Sequence, residues 1–243
     1  MDIIKVDAID STNAFLRELN RQKQFDGPVC VMAKEQLAGK GQMGTVWQSE
    51  PGKNLTCSVF MQVKGIELVE QFFISIAVSL AVCDALNDLL ITKLSIKWPN
   101  DILSDRKKIC GILIENVVKN GSLNGAIIGI GINVNQLEFD NLPQAGSLKK
   151  ILGKDLEIEE VLDVLLTKLE QRFTQLTTSS FAMLKKEYER LLFRRNKPST
   201  FLDAEGNSFV GIIQSVNNEG KLQVLLEDEI VTPFDLKEIS LLY

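Results

Sequence analysis

Three short segments carry side chains that could do chemistry on an anion. In "EQLAGKGQMGTVWQ", residues 35–48, Lys40 stands between glycines at 39, 41 and 44. Successive backbone N–H groups of a glycine-rich loop form a concave nest for an anion, and Lys40 adds positive charge at its centre. In "KWPNDILSDRKKICGILIE", residues 97–115, Pro99 stops a strand and exposes Asn100 and Asp101 just past its end. Lys107 and Lys108 then precede the next apolar run. Lysines at a strand mouth beside a carboxylate suit an anionic substrate accompanied by a divalent cation. In "GIGINVN", residues 129–135, the glycines permit close approach, and Asn133 needs a partner from the protein or from a ligand. Each segment alone also has a plain structural explanation: a surface loop, a solvated turn, and an asparagine satisfied by backbone.

The residues that are missing narrow the chemistry further. Gly39-x-Gly41-x-x-Gly44 has the spacing of a dinucleotide fingerprint, but "TVWQSEPGKN" follows it where a helix would have to start. No G-x-x-x-x-G-K-[ST] loop occurs. The chain has no histidine, which excludes imidazole acid–base steps and a His-dependent triad and leaves zinc poorly supported. Cys30, Cys57, Cys83 and Cys110 are widely spaced in apolar surroundings and read as small buried hydrophobes. The net charge of −5 gives no general attraction to nucleic acid or to anionic membrane, so any anion site must be built locally.

These segments need elements to position them. Hydrophobic residues make up 45% and charged residues 24% of the 243 positions, as in an ordinary globular chain. A strand at "DIIKV" leads through Asp10 or Ser11, a helix cap, into a helix with Phe15, Leu16 and Leu19 on one face. Strands follow at 28–34 and 54–63, then an apolar helix at 72–90 interrupted by Asp84 and Asp88 and too short, uncharged, for a membrane span. "KICGILIENVV" and "NGAIIGIGINVN" read as an antiparallel hairpin turning at Asn120-Gly121, a pair that could present a free edge. Two amphipathic helices come next, and beyond Lys197-Pro198 short strands alternate with turns at "AEGN", "NNEG" and "EDE". The expected fold class is α+β, with a boundary near 195 and a small β-barrel-like module after it.

Taken together, "DSTN", "EQLAGKGQMGTVW", "SEPGKNL", "KWPNDIL", "KKICGILIE" and "GIGINVN", in this order, closely resemble the catalytic domain of biotin protein ligases. The resemblance covers nearly the whole chain. It implies a class II synthetase-like mixed sheet with helices packed against it over residues 1–195, and an SH3-like barrel over 196–243. It implies an enzyme that uses ATP and Mg²⁺ to make biotinyl-5′-AMP and transfers biotin to one lysine of the biotin carboxyl carrier domain of a biotin-dependent carboxylase. It places Ser11, Thr12, Asn13, Gln36 and Gly39 around biotin's ureido ring, with Lys40, Gly41, Gln42 and Gly111 also on the biotin side. Lys40, Thr45, Trp47, Asn100 and Asn133 would contact the adenylate. Lys108 would bridge the biotin carboxylate and the α-phosphate. Asp101 would be the acid near the attacking amine and near the metal, making Lys108, Asp101 and Lys40 the catalytic set. The expected setting is the cytoplasm, with no DNA or membrane partner and a monomer or weak homodimer.

Two departures from the family pattern matter. Relatives commonly carry arginines in the glycine loop where this chain has Lys40, Gln42 and Thr45. A lysine lacks arginine's bidentate fork, so the intermediate is expected to be held less tightly or another group, such as Lys53, to be recruited. "DSTN" also begins at residue 10, leaving no room ahead of it for the helix-turn-helix domain of regulatory members, so no repressor activity is expected. The alternatives are a lipoate–protein ligase, which a polar Ser11-Thr12-Asn13 set with Gln36 disfavours, and a non-catalytic biotin- or nucleotide-binding module, which Lys108 and Asp101 disfavour.

Overall fold

A computed structural model describes residues 1–243. Strands β1 (Asp2–Ile9), β2 (Val29–Gln36), β3 (Leu55–Gln62), β4 (Leu94–Lys97), β5 (Asp101–Ser104), β6 (Lys107–Lys119) and β7 (Ser122–Ile132) form one mixed sheet. Its order is β1-β2-β3-β7-β6-β5-β4, with β1 parallel to β2 and the other neighbours antiparallel. The hairpin β6–β7 lies inside this order, so the free edges are β1 and β4 and not the hairpin. Its turn has φ of 51° at Asn120 and 76° at Gly121, the left-handed values that Asn-Gly supplies cheaply.

Alternation sorts each strand's side chains between two buried faces. Cys30, Met32, Leu55, Cys57, Val59, Ile112, Ile128, Ile130 and Ile132 join the main core, which α2 (Phe72–Asp88), α4 (Ile158–Thr174) and α5 (Phe181–Leu191) cover. A smaller cluster of Leu16, Val29, Val31, Phe60 and Ile127 packs α1 (Thr12–Gln22) on the opposite face. Ser11, with extended backbone, caps α1 by accepting from the Ala14 N–H. Helix α2 is apolar on all sides because it is buried on nearly all sides; with the helical turn before it, the segment Leu68–Asp88 would by length and composition alone also suit a membrane span. All four cysteines are buried free thiols, and burial pushes that of Cys83 up to about 12.

Arg172 on α4 ties the helical layer together. Its Nε donates to Asp84 on α2 at 2.7 Å and its Nη1 to Glu187 on α5 at 2.7 Å, with only 14% of the side chain exposed. Replacing it with alanine leaves two facing carboxylates uncompensated, and we expect about 2 kcal/mol of destabilisation. Urea unfolding reads this directly as a lower midpoint at unchanged slope.

Beyond a short helix α3 (Leu148–Leu152), the chain ends in β8 (Pro198–Asp203), β9 (Ser208–Val216), β10 (Leu222–Leu225), β11 (Val231–Phe234) and β12 (Ile239–Leu242). They make a separate five-stranded antiparallel sheet ordered β11-β10-β9-β8-β12. Phe201, Ile213, Val216, Leu222 and Ile239 merge into the main core. Trp98 donates its indole N–H to the Gly220 carbonyl at 2.9 Å, a second tie between the two sheets.

Candidate active site

A cavity of about 570 Å³ opens on the α1 side of the main sheet. Its lining includes Ser11, Thr12, Asn13, Gln36, Lys40, Gly41, Gln42, Thr45, Trp47, Asn100, Asp101, Lys108 and Gly111. The segments that the sequence separates by up to a hundred residues therefore meet at one place. Gly39 and Asn133 lie outside that lining, as does Lys53, whose side chain is exposed to solvent. Lys97 and Ser240 line it as well, and the sequence reading gave neither a role.

The floor is made of glycine. Gly111 on β6 pairs with Gly131 on β7, and Leu113 with Gly129, all pointing to the cavity side. Trp47 lies flat on this floor: a Cβ at Gly131 would come within 2.5 Å of its Cζ2, and one at Gly111 within 2.9 Å of its Cζ3. A Cβ at Gly129 would meet the Asn13 Oδ1 at 2.5 Å. Thus the glycines of "CGIL" and "GIGIN" admit the Trp47 ring and the Asn13 amide. Trp47 is held there by the glycine loop, which folds back as a small hairpin through Trp47 N–H to Gly39 O at 2.9 Å and Gly41 N–H to Thr45 O at 2.7 Å. The Trp47 indole N–H is buried and has no partner.

At one end of the cavity three charges share one face. Asp101 Oδ1 is 2.6 Å from Lys108 Nζ, and Asp101 Oδ2 is 3.9 Å from Lys97 Nζ. Asp101 opens β5 rather than lying in a turn after β4, and pairs across the strands with Lys97 and Gly111. Regular alternation would turn Lys108 away from Gly111. The register shift on β6, where Ile102 pairs with Cys110 but Leu103 with Lys108, inverts the parity and brings Lys108 onto the cavity face. The backbone of Lys108 is clamped on both sides, its N–H donating to Gln144 O at 2.7 Å and its carbonyl accepting from Gly146 N–H at 2.9 Å. Asn133 secures that clamp by donating to Gly146 O at 2.9 Å and to Lys108 O at 3.5 Å. Asn100 donates to Ile112 O at 2.8 Å. Burial holds the Lys97 ammonium below the usual lysine range, a shift that Asp101 opposes and Lys108 reinforces. Lys97 also lies over the Tyr243 ring at 5.2 Å, and Lys108 over Trp47 at 5.7 Å.

The other end is polar and rich in acceptors. The Thr12 N–H donates to Gln36 Oε1 at 2.9 Å, which fixes the amide oxygen of Gln36 toward Thr12. Leu113 O and Glu115 Oε2, each 3.4 Å from Asn13 Nδ2, fix the nitrogen of Asn13 on their side. Three contacts then remain: Thr12 Oγ1 to Gln36 Oε1 at 3.0 Å, Ser58 Oγ to Thr12 Oγ1 at 2.7 Å, and Ser58 Oγ to Asn13 Oδ1 at 2.5 Å. Only two hydroxyl protons are available for them. One of the three contacts therefore has no proton between its oxygens. Ser58, fully buried behind Thr12 and Asn13, was not singled out from the sequence because a serine in an alternating strand has no distinguishing signal.

The site residues place limits on a resident metal. No group of three or more Cys, Asp or Glu side chains gathers to hold one. Asp101 is the carboxylate beside the lysine pair, a donor set that fits a cation arriving on a phosphate-bearing substrate, whose own oxygens supply most of its ligands.

The chain is similar to known proteins. The profile of the biotin/lipoate A/B protein ligase family matches residues 6–133. The bifunctional ligase/repressor BirA of Bacillus spizizenii is 32% identical over 192 residues, which is 77% of this chain and 58% of that protein. The chain thus spans somewhat over half the length of that relative. The biotin–[acetyl-CoA-carboxylase] ligase of Paracoccus denitrificans is 28% identical over 88% of this chain and 90% of its own. Among solved structures, the biotin protein ligase from Aquifex aeolicus in complex with biotin and ATP superposes with a TM-score of 0.80 at 26% identity, covering 99% of this chain and 98% of that one.

Proposed function

The chain belongs to the biotin/lipoate A/B protein ligase family, and from that premise we propose that it activates biotin with MgATP as biotinyl-5′-AMP and transfers biotin to a lysine of a carrier domain. The family joins biotin and lipoate enzymes, and one observation carries the choice of acid. The Thr12–Asn13–Gln36–Ser58 network is short of one proton. A ureido ring brings two N–H donors to these crowded oxygens, whereas a dithiolane brings none. The polar end of the cavity therefore suits biotin.

In this reading the head group lies against Thr12, Asn13 and Gln36, and the carboxylate reaches Lys108. Adenylation requires two anions, the carboxylate and the α-phosphate, to approach each other. Lys108, with Lys97 behind Asp101, reduces that repulsion in a pocket whose low polarisability strengthens it. The hairpin of residues 39–47, with Lys40 on its first arm opposite Val46, covers the same volume, and Trp47 forms its apolar wall. Asp101 would hold the Mg²⁺ that accompanies the nucleotide, which would offset the charge of the phosphates. In the second step Asp101 accepts the proton of the incoming lysine amine. Residues 1–195 then form the biotin- and ATP-binding domain on a sheet of the class II synthetase type, and 196–243 a small SH3-like barrel, a division supported by the separate C-terminal sheet.

Incubation with ATP, Mg²⁺ and either biotin plus a biotin carrier domain or lipoate plus a lipoyl domain, followed by intact mass, tests the reading. A gain of one biotin on the biotin carrier alone is expected. A gain in the lipoate arm instead overturns it.

A further inference from the structure

The geometry points to Glu115 as a positioning residue for the biotin site, acting through Asn13 and oriented by Arg17; the inference rests on reading Asn13 as a ureido contact. Glu115 does not line the cavity. It follows Gly111 and Leu113 on the same face of β6, one position beyond the cavity wall, where it pairs with Ile127. Its Oε2 lies 3.4 Å from Asn13 Nδ2. Arg17, one turn along α1 from Asn13, grips the same carboxylate with Nη1 at 2.9 Å from Oε1 and 3.1 Å from Oε2.

An asparagine amide can present either its oxygen or its nitrogen to the cavity end of the network. If Asn13 turned over, its oxygen would face two acceptors, the Glu115 carboxylate and the Leu113 carbonyl. That arrangement is repulsive, and the negative charge of Glu115 makes it more so. Held as it is, Asn13 turns its oxygen toward Ser58 and adds to the acceptor excess that a ureido N–H relieves. With Glu115 removed, the turned amide would donate to Ser58 and cancel that excess. The absence of a Cβ at Gly129 leaves the space that the Asn13 amide occupies against the sheet. Arg17 neutralises the carboxylate and fixes its rotamer, so that one oxygen stays on Asn13.

Titration calorimetry with biotin alone tests this in the full chain. Glu115→Ala is expected to bind biotin about tenfold more weakly, the loss of one charge-assisted orientation, with the KM for ATP unchanged. Glu115→Gln keeps an acceptor oxygen and recovers most of the affinity, which mere loss of packing would not explain. The double variant Asn13→Ala/Glu115→Ala is expected to bind no worse than Asn13→Ala, because Glu115 has nothing left to orient. Wild-type affinity in Glu115→Ala, or additive losses in the double variant, overturns the inference while leaving the biotin reading intact. A wild-type chain that does not bind biotin overturns both. Should Glu115→Ala fail to fold, Arg17→Ala carries the test: about threefold weaker binding is expected from an ion pair this exposed, and unchanged affinity sinks the proposal.

Discussion

Replacing Lys108 with alanine is expected to lower the rate of biotin adenylation about a thousandfold while leaving biotin affinity within a few-fold of wild type. The asymmetry follows from where the charge stands. Lys108 Nζ lies at the end of the cavity opposite the ureido wall, 2.6 Å from Asp101, and about a third of the side chain is exposed. Its charge is needed chiefly when the carboxylate and phosphate close on one another, so its loss falls on the transition state more than on ground-state binding. Three to four kcal/mol is the usual order for one such preorganised group, which is about the stated factor. The fold should survive, because the clamp on residue 108 runs through backbone atoms that alanine keeps. Lys97 cannot substitute, since it is 3.9 Å from the far oxygen of Asp101 and is engaged with Tyr243. Arginine at 108 should restore only part of the rate, because its longer, planar head must fit beside the Trp47 ring over Gly111. Single-turnover pyrophosphate release at saturating biotin measures the effect. A Lys108→Ala rate within tenfold of wild type would remove Lys108 from the chemistry.

Some of this site was legible in the sequence and some was not, for definite reasons. Hydrophobic alternation and the Asn120-Gly121 pair locate β6 and β7, since both report local preference. The apolar period locates α4 and α5, and an unbroken apolar run of helical length locates α2. By contrast β5 has four residues between two turns, too few for a period to register, so Asp101 reads as a turn residue when it opens a strand. The parity inversion at Ile109 leaves no trace in composition, yet without it Lys108 would face the core side. Lys97 escapes notice because a lysine at the end of an amphipathic strand is ordinary; only the pairing with Asp101 makes it part of the site. Asn133 illustrates the opposite case. Its polarity at the end of an apolar run does signal a required partner, but not which one; it stands just past β7, and its side chain secures the clamp on Lys108 from behind. Ser58 and Glu115 depend entirely on which residues the sheet brings opposite them, information that lies in long-range pairing.

A single methyl group on the floor should also be damaging, at about a tenth of the cost in rate of losing the lysine, and for a different reason. Gly131 has an extended backbone that alanine adopts without strain, and as a mid-strand glycine it costs rather than contributes stability. Gly131→Ala is therefore expected to fold with stability within about 1 kcal/mol of wild type. The new Cβ, however, would stand 2.5 Å from Trp47 Cζ2, against neighbours fixed in β3 and β6 that cannot retreat. The ring must lift instead. Trp47 is anchored to Gly39 by a backbone hydrogen bond, so lifting the ring also moves the hairpin that carries Lys40. Misplacement of a cavity wall by an ångström typically costs about a hundredfold in rate, and that is the expected loss. Two observations separate this from a general defect. Tryptophan emission should shift to the red through Trp47 alone, since Trp98 keeps its bond to Gly220 at the other sheet. In a Trp47→Ala background the added methyl should cost nothing further, because no ring remains to displace. If Gly131→Ala retains wild-type emission and activity, or if its cost persists undiminished without Trp47, the glycines serve some purpose other than seating that ring.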